Sequence, residues 1–84
     1  MKITYKLVGV KGNYHFTREH DNANLDTMYQ DFRNEGYQGT FDKVQFFANS
    51  IPVKDNFKIF NENITALVYP KETGVKVVFK DIME

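Results

Sequence analysis

The 84 residues contain no cysteine and no tryptophan, a single serine, and only two prolines. Without cysteine there is neither a disulfide nor a thiolate zinc site to supplement a small core, so stability has to come from packing. With Ser50 as the only serine and no Gly-x-Ser-x-Gly elbow around it, an acyl-transfer nucleophile has no support. Neither sign of charge is in excess, with 11 basic against 11 acidic side chains. A generic nucleic-acid binder carries a basic surplus, and a nucleic-acid mimic would need an acidic one. Long apolar runs are missing as well: the start, MKITYKLVGVKGNYHF, alternates and reads neither as a secretory signal nor as a membrane span. A cytoplasmic protein without a membrane partner is expected, and Asn63-Ile64-Thr65 reads as a chance sequon.

What the chain does have is aromatic mass. Eight Phe and five Tyr bring the aromatic share to 15%, and each buried ring removes about 150–250 Å² from water. One domain, residues 1–84, is expected, near the lower size limit for folding without staples. Lys2 to Val10 alternate, with Ile3, Tyr5 and Leu7 on one face, as a half-buried strand requires. Lys11-Gly12-Asn13 reads as a turn into a second strand, Tyr14 to Glu19. After the cap-rich His20-Asp21-Asn22-Ala23-Asn24, residues Leu25, Met28, Tyr29 and Phe32 follow helical spacing, and Gly36 suits the left-handed stop. The helix is expected over 24–35.

Strand character returns at Lys43–Ala48, followed by an irregular stretch over 49–55 and a short strand at Phe57–Phe60. Ile64–Tyr69 and Val75–Lys80 read as a second hairpin. The order β-β-α-β-(β)-β-β predicts an α+β domain: one amphipathic helix packed on a mainly antiparallel sheet of five to six strands. Hairpin, helix and further strands follow in that order in β-grasp folds too, a likeness of shape that no motif carries.

The stretch FDKVQFFANSIPVKDNFKIF holds five of the eight phenylalanines. Phe46 and Phe47 are adjacent, so on a strand their rings point to opposite faces. The helix covers one face, with Leu25, Met28, Tyr29 and Phe32 as a lid over Ile3, Tyr5, Leu7, Phe16 and one of the two rings. The other ring needs cover from the Ile51–Val53 segment, from the last hairpin, or from a partner.

The chemistry on offer is thin, and no cofactor is implied. His15, Glu19, His20 and Asp21 form the only cluster of metal-ligand types, but positions 15 and 20 face opposite ways on a strand and match no usual ligand spacing. No metal site is expected. Asp26, Asp31 and Glu35 on the helix read as a solvated acidic face, since the five-residue step from Asp26 to Asp31 separates them around the helix. Gly9-Val10-Lys11-Gly12 has the G-x-x-G spacing of an RNA-clamping loop, but strands rather than helices flank it, and a turn is the better reading.

The function these features favour is a small non-enzymatic protein-binding module, with no catalytic residues and a protein partner of unstated identity. Phe47, Phe57, Phe60 and Tyr69 are its expected anchors, and Asp26 and Asp31 its rim. The Asn, Lys, Ile and Phe usage fits an AT-rich genome. In a phage or mobile element that setting points to an inhibitor of a host protein, such as a defence nuclease. An exposed edge strand would also favour a homodimer. The alternative is a nucleic-acid-binding domain that lines one sheet face with Lys2, Lys6, Lys76 and Lys80, provided the first and last strands are neighbours.

Overall fold

A computed structural model describes residues 1–8 and 14–71. Strands β1 (Lys2–Leu7) and β2 (Tyr14–Glu19) precede helix α1 (Leu25–Glu35). A 3₁₀ turn, Phe41–Lys43, leads into β3 (Val44–Ala48), β4 (Ile51–Pro52) and β5 (Ile64–Pro70). One helix packs on one five-stranded sheet of order β2-β1-β5-β3-β4. Three of the pairings are antiparallel, and β5 lies parallel to β1. The α+β architecture and the strand count are those the sequence predicts.

Two local expectations change. The fourth strand is Ile51–Pro52, inside the stretch read as irregular, and Phe57–Phe60 is not a strand. Asn49 and Ser50 both have positive φ, 49° and 75°, between the paired residues Ala48 and Ile51. These are the signs a type I′ hairpin turn needs at its two central residues. At Phe57 the backbone N–H is taken by the Asp55 carboxylate (2.9 Å) in a local turn, which competes with any strand ladder. Phe60 makes only an isolated bridge to Ala23. Both edges of β5 are filled, by β1 and β3, and the expected strand Val75–Lys80 lies outside the described residues.

The core lies between α1 and one sheet face. Ile3, Tyr5, Leu7, Phe16, Val44, Phe46, Ala48, Ile64, Ala66 and Val68 come from the sheet, and Leu25, Met28 and Phe32 from the helix. Phe32 is at its centre, with ring centroids 5.1 Å from Tyr37, 5.2 Å from Phe46 and 6.1 Å from Phe16. Each large side chain sealed there contributes about 1.5–3 kcal/mol. Local chemistry sets the helix ends. Asn24 accepts the Thr27 N–H (3.1 Å) and Thr27 Oγ1 accepts the Asn24 N–H (3.2 Å), a reciprocal cap. Gly36, at φ 115°, takes the left-handed stop.

Candidate functional site

The structure divides the five phenylalanines of residues 41–60 among three environments. Phe46 is sealed under α1, and Phe41 packs against the core, stacked on Tyr29 at 4.2 Å. Phe47 points to the opposite face of the sheet, where it meets Tyr69 edge-on at 5.4 Å. Its neighbours across the strands there are Leu67 and Pro52. Phe47 and Leu67 are half-buried and Tyr69 is exposed, so this face keeps an apolar stripe that α1 cannot reach.

Phe57 is the extreme case, 93% exposed. It is carried by the connection from β4 to β5, and that connection is fastened along its length. Val53 N–H donates to the Phe46 carbonyl (2.9 Å). Asn56 Oδ1 accepts the Asp26 N–H (2.8 Å), one of the unpaired donors of the first helical turn. Phe60 and Ala23 exchange two backbone bonds (2.7 and 3.0 Å), and Asn63 Oδ1 accepts the Lys2 N–H (2.7 Å). The backbone is thus anchored on both sides of Phe57 while its ring stands in water. Ile51 and Ile59 are 63% and 58% exposed and line a groove of about 610 Å³ floored by Ala48, Val53, Phe60 and Ile64; Phe57 is not part of its lining. Lys54, Asp55, Lys58 and Glu62 ring the groove with both signs of charge.

The six expected binding residues therefore do not form one surface. Phe47 and Tyr69 share the outer sheet face. Asn56, next to Phe57 in the chain, accepts the Asp26 backbone N–H and ties the connection to the start of α1. Phe60 leans on the core, with Lys58 Nζ 5.8 Å from its ring centroid, and serves to hold the connection. Asp31 is a correction: it is 4% exposed and cannot form a rim. Tyr5 Oη–H donates to Asp31 Oδ2 (2.6 Å), and His20 Nε2 lies 2.8 Å from the same oxygen. Helical geometry could have shown this, since Asp31 is three residues beyond Met28 and sits about 60° from it, on the flank of the apolar stripe.

That buried cluster is the chemistry the sequence did not reveal. Tyr5 is fully buried, and its hydroxyl is held far above the ordinary tyrosine range by burial first and the Asp31 carboxylate second. Next to it, Glu35 accepts from the Tyr14 hydroxyl and pairs with Arg18. Burial, then the Glu35 carboxylate, pushes Tyr14 up to about 12. Among the described residues, no buried side-chain polar atom lacks a hydrogen-bond partner. A core network satisfied in this way fixes how α1 sits on β1 and β2.

His15 is exposed on the outer face and His20 turns to Asp31, so the two do not converge. No three of His, Asp and Glu among the described residues come together as a metal set. Lys2 and Lys6 are exposed on the outer face, while Lys76 and Lys80 lie outside the described residues. Both edges of β1 are taken, by β2 and β5. The G-x-x-G stretch, 9–12, is likewise outside the described part. No described helix is long and apolar enough to cross a membrane. Comparison with protein-family models, curated proteins and solved structures finds no match to this chain.

Proposed function

We propose that this chain is a small, non-enzymatic protein-binding module whose contact surface is the β4–β5 connection, with Phe57 as anchor. One observation carries the reading: a phenylalanine almost wholly in water, on a backbone fastened to β3, α1 and β1 around it. An exposed ring adds nothing to folding, and interface cores are enriched in aromatic side chains. Exposed apolar patches with a polar surround mark interaction sites, and the same connection also lines, with exposed Ile51 and Ile59, a groove inside a mixed-charge rim. The non-enzymatic part rests on burial. In the one Tyr–Asp–His constellation among the described residues, Tyr5 and Asp31 are buried and His20 is half-buried over them, so the carboxylate is taken up by structure.

The specific form of this reading is a cytoplasmic inhibitor of a host protein, a defence nuclease being one such target, encoded by a phage or mobile element. Its support is the composition, rich in Asn, Lys, Ile and Phe. The test compares partner capture from host lysate by wild type and by a Phe57→Asp variant of unchanged thermal stability. The module retains a specific protein and the variant loses it. Equal retention by both would overturn the assignment of the surface, and no retention by wild type would overturn the function.

A further inference from the structure

Among the described residues, strand β2 ends the sheet and nothing pairs with its second edge. The backbone groups facing that edge can be identified. His20 N–H donates to the Met1 carbonyl (3.0 Å) and the Met1 amino group to the His20 carbonyl (2.7 Å), so this pair exchanges both bonds. Such pairs alternate along an antiparallel ladder, and the register runs from Lys2↔Glu19 to Leu7↔Tyr14. Arg18, Phe16 and Tyr14 therefore direct their backbone groups to β1, while His15, Thr17 and Glu19 turn theirs outward. The Thr17 carbonyl agrees: it accepts from Arg18 Nη1 (2.7 Å) rather than from β1.

We propose that this edge pairs antiparallel with the β2 edge of a second copy of the chain, about a two-fold axis at Thr17 normal to the sheet. In that register Thr17 faces Thr17, and His15 faces Glu19 of the second copy, on both sides of the axis. Each of these three pairs brings outward N–H and C=O groups opposite one another, so each exchanges both bonds. The side chains match too. His15, Thr17 and Glu19 are exposed on the same outer face, beside Lys6, Thr4 and Lys2 of their own chain. Joining two copies produces a central row Thr4–Thr17–Thr17–Thr4, flanked by two rows Lys2–Glu19–His15–Lys6. Each Glu19 carboxylate then lies between Lys2 of its own chain and His15 of the other. Threonine pairs and unlike charges are the favourable cross-strand neighbours.

A slip of one residue sets outward groups against inward ones, and a slip of two leaves one of the three pairs unmatched. The edge also lacks the usual guards. It carries no proline and no lysine, and its one inward-pointing charge, Arg18, is held by Glu35. On pairing, Arg18 Nη1 gives up the Thr17 carbonyl and keeps Glu35. The combined sheet has β4 at each end, so the two Phe57-bearing connections stay free. The proposal does not depend on what they bind.

The test is sedimentation equilibrium on the full chain from about 1 µM to about 1 mM, with two variants. Thr17→Pro removes an N–H that the monomer leaves on the open edge, where proline is tolerated, but it removes the central bonds of the dimer. Wild type is expected to shift from monomer to dimer across the range, and Thr17→Pro to stay monomeric with an unchanged circular dichroism spectrum. Should Thr17→Pro not fold, Glu19→Lys decides: it sets lysine against His15 and weakens the dimer about tenfold, and adding His15→Glu restores most of it. A wild type that is monomeric throughout overturns the proposal. So does a dimer that responds to neither Thr17→Pro nor Glu19→Lys.

Discussion

Asp31 is a carboxylate on α1 with only 4% of its surface exposed. A carboxylate on an amphipathic helix is expected in water, and Asp26 is there. Asp31 stands on the flank of the Leu25–Met28–Phe32 stripe, where only a partner makes burial affordable, and Tyr5 and His20 supply it. Neither partner is close to it in sequence, so the pairing was not legible before the fold. Removing one member leaves the others stranded. Asp31→Ala is expected to cost about 2–4 kcal/mol in urea unfolding, whereas the pair Tyr5→Phe with Asp31→Leu costs clearly less than the two single changes summed. The tyrosines also give the alkaline limb a sign. Tyr14 is raised from 10.0 to about 12 in the fold, and Tyr5 is raised further. A raised folded value means the stabilisation is complete below pH 10, where both states keep the proton. It declines as the unfolded chain ionises and is lost as pH passes the folded value. Unfolding midpoints followed from pH 9 to about 12 should therefore hold up to about pH 10 and fall beyond it, and Tyr14→Phe should flatten part of that fall.

At the scale of elements, periodicity was sufficient wherever one face is buried. β1, β2, α1, β3 and β5 fall within a few residues of their expected bounds, because alternation or helical spacing is what burial against a single layer imposes. The stretch from Asn49 to Asn63 was less legible. Its structure rests on a tight turn, an Asp55 side-chain bond, a bridge to Ala23 and scattered ties to β3, α1 and β1, none of which leaves a period in the sequence. The turn itself offers a test. Ser50 holds φ 75° with a Cβ that disfavours that region. Ser50→Gly, which converts the turn to the preferred Asn-Gly, is expected to raise stability by about 0.5–1 kcal/mol in the same urea assay. Strand β3 offers a second. Phe46→Ala should cost about 3–5 kcal/mol as a core cavity, while Phe47→Ala, on the half-buried face, should cost less than half of that.

For the whole molecule, one helix on one two-sided sheet leaves apolar surface that the described residues do not enclose, and the adjacent Phe46 and Phe47 already posed that question in the sequence, with Ile51–Val53, the last hairpin or a partner as cover. What it could not show was that the anchor candidates split between two surfaces, with Phe47 and Tyr69 on the sheet and Phe57 on the fastened connection. The parallel insertion of β5 between β1 and β3 sets that separation, and strand order is a property of long-range pairing that local patterns do not carry. The proposed anchor role requires Phe57 to touch a partner protein in the cell. The direct measurement is photo-crosslinking in the native host with a benzophenone side chain at position 57, and with the same group at exposed Gln30 on α1 as control. One discrete crosslinked protein is expected from position 57 and none from position 30; no product from 57, or the same products from both, would contradict an anchor at Phe57.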